Sequence, residues 1–242
     1  MSKALLFDLN GTVIDILTDE SGDDIYRTVA NFLSYSGVII SPGELKRLYF
    51  ELNRKQRHDS SEAYPEFDAG MIFQEIICRF QRRKLTGIKT LAEQAARVFR
   101  AATRFKLQLY PGVVEVLIGL QTKYRMAALS DGQSLWAVPE LECVGLETFF
   151  EFVLVSGDFG FRKPDARFFN KALKKFKLAA DEVIFVGNDM YRDIYGAHQV
   201  GMKTVFFKSN QGDHEWHGVD ADYIIYDFNE LPRAIEFLEK RG

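Results

Sequence analysis

Four short stretches of the chain carry residue types suited to chemistry on a charged substrate. Residues 7 to 12 read Phe-Asp-Leu-Asn-Gly-Thr and set the carboxylate of Asp8 at the end of an apolar run, Ala4-Leu5-Leu6. Asn10, Gly11 and Thr12 follow at once. Further on come Ser130-Asp131-Gly132, then Lys163 ahead of Pro164, and last Asp189 and Asp193 in Gly-Asn-Asp-Met-Tyr-Arg-Asp. A carboxylate can act as a nucleophile or hold a divalent cation, and a lysine with a hydroxyl can neutralise the oxygens of an anion. Each residue taken alone also has an ordinary structural explanation. Asp8 fits an Asx-turn or a helix cap, Ser130-Asp131-Gly132 a turn, and Lys163 a solvated side chain. Asp189 and Asp193 fit the acidic first turn of a helix.

The elements that must position these residues favour chemistry over the ordinary explanations. Residues 3–8 read as a buried parallel strand. From about 24 to 108 the pattern is helical. Ile25, Val29, Phe32 and Leu33 share one face, with Asp23 or Asp24 as the cap. Ser41-Pro42-Gly43-Glu44 is a capping box with proline at the first helical position. A third helix is predicted from Phe67 to Lys84, and Thr90-Leu91-Ala92-Glu93 opens a fourth with another capping box. No comparable strand signal interrupts this block.

After Pro111-Gly112 the texture changes. A helix is predicted from Val113 to about Lys123, and short apolar strands at 126–129, 152–155, 183–186, 204–207 and 223–225. Strands alternating with helices imply a parallel sheet covered on both faces, an α/β class. The predicted organisation is a doubly wound, Rossmann-like core over residues 1–16 and 109–242, split by a helical domain over 17–108. In such sheets ligands bind beyond the carboxyl ends of the strands. Asp8, Ser130 and the Asn188-Asp189 pair all fall just past predicted strands.

Composition narrows the function classes. With 242 residues and 47% hydrophobic content the chain can bury a large core, and its 21 phenylalanines point to packing. A formal charge of −3 argues against bulk electrostatic binding to nucleic acid. The two cysteines, Cys78 and Cys143, have no metal-type spacing, as in a reduced intracellular protein. The opening Met-Ser-Lys-Ala-Leu-Leu-Phe-Asp lacks the long apolar segment of a signal peptide, and no stretch is long and apolar enough to span a bilayer. The expectation is a soluble, cytoplasmic protein without a membrane partner; oligomeric state is not legible.

In order and spacing, the four stretches resemble the signature motifs of the haloacid dehalogenase-like (HAD) hydrolase superfamily. Phe7-Asp8-Leu9-Asn10-Gly11-Thr12 is similar to its first motif, usually Asp-x-Asp-Gly-Thr. Leu129-Ser130-Asp131-Gly132 is similar to the second, Arg162-Lys163-Pro164-Asp165 to the third, and Val186-Gly187-Asn188-Asp189 with Asp193 to the fourth. Tyr110-Pro111-Gly112, Phe149-Phe150 and Gly196-Ala197 also sit where this family commonly has such residues. A helical insertion directly after the first motif resembles the family's first type of α-helical cap.

The resemblance implies a Mg2+-dependent hydrolase of small phosphate monoesters. Asp8 would attack phosphorus and form an aspartyl-phosphate. Mg2+ would be held by Asp8, the backbone carbonyl of Asn10 and an acid of the fourth motif. Ser130, Asp131 and Lys163 would surround the phosphoryl oxygens, with Gly11 letting amides approach and Thr12 fixing the loop. Asp193 would hold a metal-bound water or tie down Lys163. The implied partner is a small phosphorylated metabolite.

Two departures from the family pattern stand out. Asn188 follows the glycine of the fourth motif where an acid is usual, so the metal contact is assigned to Asp189, with Asn188 the weaker candidate. Asn10 replaces the acid that protonates the leaving alkoxide and then activates water, and an amide does neither at neutral pH. Losing that group costs about 10²–10⁴-fold in rate. Asn10 therefore leaves several readings open: a slow phosphatase or one borrowing an acid from the cap, a phosphotransferase or phosphate-binding regulatory relative, a deliberate Asp-to-Asn replacement, or a 2-haloacid dehalogenase. The last needs no metal, so Asp189 with Asp193 counts against it. In the cap, residues 53–68 carry Arg54, Lys55, Arg57, His58 and Tyr64 and read as a solvated loop between helices; the functional alternative is contact with the leaving group, with His58 as a proton donor. The segment from Gln211 to Asp220 reads as a loop, its histidines lacking zinc spacing.

Overall fold

The computed structural model describes residues 2–240. The first apolar run forms β1 (Ala4–Phe7), buried at every position. After a turn, β2 (Ile14–Thr18) leads away from the sheet into four helices: α1 (Asp23–Ser34), α2 (Pro42–Asp59), α3 (Ala69–Phe80) and α4 (Ile88–Thr103). The chain returns through β3 (Arg104–Leu109) to α5 (Val113–Leu120), β4 (Arg125–Ser130), α6 (Ser134–Cys143) and β5 (Val153–Val155). It then runs through α7 (Ala166–Phe176), β6 (Val183–Gly187), a π-helical turn (Met190–Tyr195), α8 (Gly196–Gln199), β7 (Lys203–Phe207), β8 (Tyr223–Ile225) and α9 (Leu231–Lys240).

Six strands make one parallel sheet in the order β5-β4-β1-β6-β7-β8. The chain builds outward from β1 to β4 and β5, then crosses back to add β6, β7 and β8 on the other side. β1 is therefore central, with Phe7 in register with Ala128 of β4 and Val186 of β6. Side chains of β1 alternate between two cores, as the pleat requires: Leu5 and Phe7 join one cluster, Ala4 and Leu6 the other. The helices α1–α4 enclose a third cluster built on Tyr26, Tyr49, Phe73 and Phe99, and Trp136 from α6 is embedded in it.

Several local expectations are corrected. The block read as wholly helical contains β3, which pairs antiparallel with β2. Its residues alternate: Lys106 is ion-paired with Asp15, while Leu107 and Leu109 pack on the core cluster. Helix α1 is preceded by Gly22 with no side-chain cap, so Asp23 and Asp24 sit inside the first turn, where they complement the helix dipole instead. Helix α4 starts two residues before Thr90, because Gly87 at φ +71° turns the chain in earlier; Thr90 forms no cap. The third helix is shorter than predicted, capped by Asp68, which accepts a hydrogen bond from the Met71 amide at 2.8 Å. Residues 53–59, read as loop, belong to α2, whose Ser41 cap does accept from the Glu44 amide.

Cys78 and Cys143 are free and exposed. Among the described residues no helix is long and apolar enough to cross a membrane.

Candidate active site

Asp8 begins where β1 stops pairing. Its amide donates to the Val186 carbonyl at 2.9 Å, and the Leu9 carbonyl then gathers the amides of Thr12, Val13 and Ile14 into a tight turn. Gly11 takes φ +87°, and a Cβ there would collide with the Asn188 side chain. Glycine is thus required both by the backbone angle and by the approach of the fourth-motif loop. The turn leaves Asp8 5% exposed, at the carboxyl edge of the central strand.

Three elements converge on it. Lys163, 3% exposed, donates from Nζ to Asp8 Oδ1 and to Asp193 Oδ1, each at 2.6 Å. Thr12 Oγ1 lies 3.1 Å from both Asp8 Oδ2 and Asn188 Oδ1, so its single proton serves one of them at a time. Asp193 sits in the π-helical turn, and its Oδ2 accepts the amides of Asn188 and Asp189 at 3.0 and 3.1 Å. Burial alone would lower the Lys163 pKa, but the flanking carboxylates of Asp193 and Asp8 outweigh it and hold the ammonium protonated.

Asp131 follows β4 directly. Its Oδ1 accepts the Lys163 amide at 3.0 Å, while its Oδ2 is enclosed without a hydrogen-bond partner. Burial pushes this carboxyl up to about 6, against the pull of Lys163.

These groups line a cavity of about 250 Å³, with Asp8, Asn10, Asp131, Lys163, Asn188 and Asp193 on its walls. It also receives Arg192, Gln211 and Gly212 from the core and Arg100 from α4. Arg100 is aimed by Glu140 of α6, to which its Nε donates at 2.7 Å.

The structure brings some predicted site residues together and separates others. Asp189, assigned as a metal ligand from its sequence position, faces away from the cavity. One of its oxygens accepts the Tyr191 and Arg192 amides as a cap; the other accepts two bonds from the Arg192 guanidinium and one from the Asp213 amide. Burial alone would raise its pKa, yet Arg192 and these amides hold it below the usual carboxylate range. Asn188 occupies the cavity wall in its place. Ser130 is fully buried behind the wall, its hydroxyl 3.4 Å from the Asp131 carbonyl, and Gly11 and Thr12 lie beneath Asp8 rather than on the cavity surface. His58 is 89% exposed at its side chain and pairs with Asp59 on α2, which excludes it as the missing proton donor in this arrangement. Tyr64 reaches the core: its hydroxyl lies 3.3 Å from that of Tyr191.

Arg100, Arg192 and Gln211 were not legible as site residues. Arg100 carries one signal, a cation on a helix margin whose partner Glu140 is buried, but that partner lies 40 positions away. Gln211 belongs to the segment read as a plain loop, which the Asp213–Met190 backbone bond folds over the fourth motif.

The family model for haloacid dehalogenase-like hydrolases matches residues 5–207. Over 140 residues the chain is 38% identical to glyceraldehyde 3-phosphate phosphatase of Pyrococcus furiosus, covering 56% of this chain and 57% of that relative. The alignment thus spans little more than half of the relative's length. A glyceraldehyde 3-phosphate phosphatase of Methanocaldococcus jannaschii is 26% identical over 99% of this chain and 98% of its own. Among solved structures, a 2-haloacid dehalogenase from Pseudomonas syringae pv. Tomato DC3000 superposes with a TM-score of 0.72 at 22% identity, covering 98% and 99% of the two chains. At that identity the likeness is one of fold.

Proposed function

The chain belongs to the haloacid dehalogenase-like hydrolases, and from that premise we propose that it is a phosphatase acting on small phosphate monoesters through an aspartyl-phosphate. The observation that carries this reading is the clamp at Asp8: a buried ammonium 2.6 Å from the carboxylate, at the carboxyl edge of the central strand. Lys163 neutralises charge where an anionic phosphoryl group would otherwise repel the attacking carboxylate. Asp8 supplies the nucleophilic oxygen, and the Thr12 hydroxyl, 3.1 Å from Oδ2, can steady the carboxylate. Arg192 and Arg100 add positive potential on either side. We read residues 17–108 as the cap that carries Arg100 to the site, and 1–16 with 109–242 as the catalytic core. The phosphatase names of the relatives support a small phosphorylated substrate.

Mg2+ fits the donor set in kind. The Asp8 carboxylate, the Asn10 backbone carbonyl and the Asn188 amide oxygen are hard oxygen donors carrying one charge between them. Among the described residues no group of three or more His, Cys, Asp or Glu could hold a metal, so these residues would hold the ion together with substrate oxygens. When bound, it would supply further neutralisation of the phosphoryl charge.

The test is release of inorganic phosphate from a panel of phosphorylated metabolites, with Mg2+ and with a chelator. Turnover should require Mg2+, and Asp8→Asn should abolish it; phosphate release surviving that change would remove Asp8 as nucleophile. A second reading, a metal-free 2-haloacid dehalogenase, gains from one observation: an amide, Asn188, faces the cavity where an acid was expected. Halide release from a 2-haloacid in the presence of chelator would establish it in place of the first.

A further inference from the structure

We infer that the substrate carries a carboxylate a few carbons from its phosphate, and that Arg100 is the residue that recognises it. This deepens the phosphatase reading and rests on it. Arg100 donates from Nε to Glu140 Oε1 at 2.7 Å and from Nη2 to Glu140 Oε2 at 3.1 Å. That uses one edge of the planar guanidinium. The other edge, Nη1 with the second proton of Nη2, makes no hydrogen bond among the described residues. Nη1 is not enclosed either, and the side chain keeps 14% of its surface exposed. Glu140 and Trp136 line a separate groove between α4 and α6. The paired edge points that way, and the opposite edge turns to the cavity, whose wall includes Arg100 but not Glu140.

Position sets this cation apart from the reacting phosphoryl group. Arg192 acts on Asp131 and Asp193, so it belongs with Lys163 at the end of the cavity where Asp8 sits. Arg100 stands one turn before Thr103, whose carbonyl accepts the Asp19 amide at 2.9 Å. It therefore lies beside the far end of β2, roughly 13 Å of extended chain beyond Ile14, which a bridge to Asn10 ties to the Asp8 turn. Ile16 and Thr18 line the stretch between the two ends. The nearby acid Glu20 feels the charge of Arg100 but makes no hydrogen bond to it.

The space between the two cationic ends limits the rest of the substrate. At about 250 Å³ the cavity is smaller than the roughly 300–1,000 Å³ of pockets for drug-sized ligands. Ile16 is the one apolar side chain on its wall, so nothing there can stack a base or hold a long acyl chain. The free guanidinium edge matches the two coplanar oxygens of a carboxylate. A second phosphate would fill more of this space and bring more negative charge than a guanidinium shared with Glu140 can offset.

The experiment compares kcat/KM within two matched pairs of esters: 2-phosphoglycolate with 2-hydroxyethyl phosphate, and 3-phosphoglycerate with glycerol 3-phosphate. Within each pair a carboxylate replaces a hydroxymethyl group. Wild type should favour the acid in at least one pair by about 10–100-fold, the scale of a charge-assisted hydrogen bond. In Arg100→Met that ratio should collapse to within about threefold, with the acid losing more through KM than through kcat. Arg100→Lys, whose single ammonium stays with Glu140, should lose the ratio as well, and it decides the matter where Arg100→Met does not fold. A wild-type ratio within threefold in both pairs, or a ratio that survives the substitutions, would overturn the assignment. So would a preference for propane-1,3-diol bisphosphate over both acids. If wild type releases phosphate from none of these esters nor from the metabolite panel, the phosphatase reading itself falls, and the inference with it.

Discussion

At residue scale the site is governed by how many carboxylates one ammonium must satisfy. Lys163 bridges Asp8 and Asp193 at 2.6 Å each. Lys163→Met would leave two buried carboxylates facing one another, so it should destabilise the protein by about 3–5 kcal/mol, read by urea unfolding, and abolish turnover. Position 10 offers a sharper comparison. Restoring an acid with Asn10→Asp should raise alkyl-ester turnover by about 10²-fold or more, read as phosphate release; an unchanged rate would show that position 10 carries no proton. Asp131 also leaves a mark on stability. Its folded pKa of about 6 lies above the ordinary 3.8, so between those values the folded state binds more protons than the unfolded chain. Stability is then lost as pH rises through that window. Asp131→Asn should remove about 2 kcal/mol of this decline between pH 4 and pH 8, measured as the change in the unfolding free-energy gap to wild type. Subtracting the two profiles isolates Asp131 from Asp193, whose buried carboxyl is likewise pushed up to about 6.

Between elements, the site depends on how α4 meets α6. Arg100 of α4 donates to both oxygens of Glu140, at 2.7 and 3.1 Å, and lies over the ring of Trp136. Trp136 in turn donates from Nε1 to the Ala96 carbonyl at 3.0 Å, tying α6 into the helical block. A second tie runs through the segment before α3: Gln133 accepts the Ala69 amide, and Ser156 donates to Glu66. Glu140→Ala should therefore act at a distance. Arg100 and Arg104 both lose their buried partner, costing about 2–3 kcal/mol of stability, while Arg100 loses its aim into the cavity. The expected kinetic signature is a several-fold rise in KM with a smaller change in kcat, read from saturation curves on the best substrate of the panel.

Across the whole molecule, three large hydrophobic clusters, one on each face of the sheet and one inside the helices, do most of the stabilising work, beside a small fourth at Met190, Ile194, Phe206 and Val219. Phe99 sits at the heart of the third, 4.4 Å from the Tyr49 ring centroid and within ring contact of Tyr26, Phe73 and Trp136. Phe99→Ala should cost about 3–5 kcal/mol in denaturant unfolding. Because Trp136 shares that cluster, the loss should also disturb the tie between α4 and α6.

Much of this architecture was written in local pattern. Short apolar runs marked β1, β4, β6 and β7, since a strand buried on both faces has little choice of side chain. Three of the four chemical stretches were legible because they lie within a few residues of a strand end, and strand ends of a parallel sheet converge; Lys163 follows β5 only after a longer loop. What local pattern could not contain was direction and partnership. Asp189 and Asn188 are adjacent in sequence, yet the π-helical turn sends one to Arg192 and the other to the cavity. Helix caps at Gly22 and Gly87 and the β2–β3 ribbon were hidden because they depend on backbone angle or on a strand some 90 residues away. The sequence by itself determined the scaffold and the carboxylate at the end of its central strand, since hydrophobic period and residue type are local properties. Only the tertiary structure decided which carboxylates line the cavity, and that it leaves one oxygen of Asp131 without a partner, because burial and pairing are properties of the assembled chain.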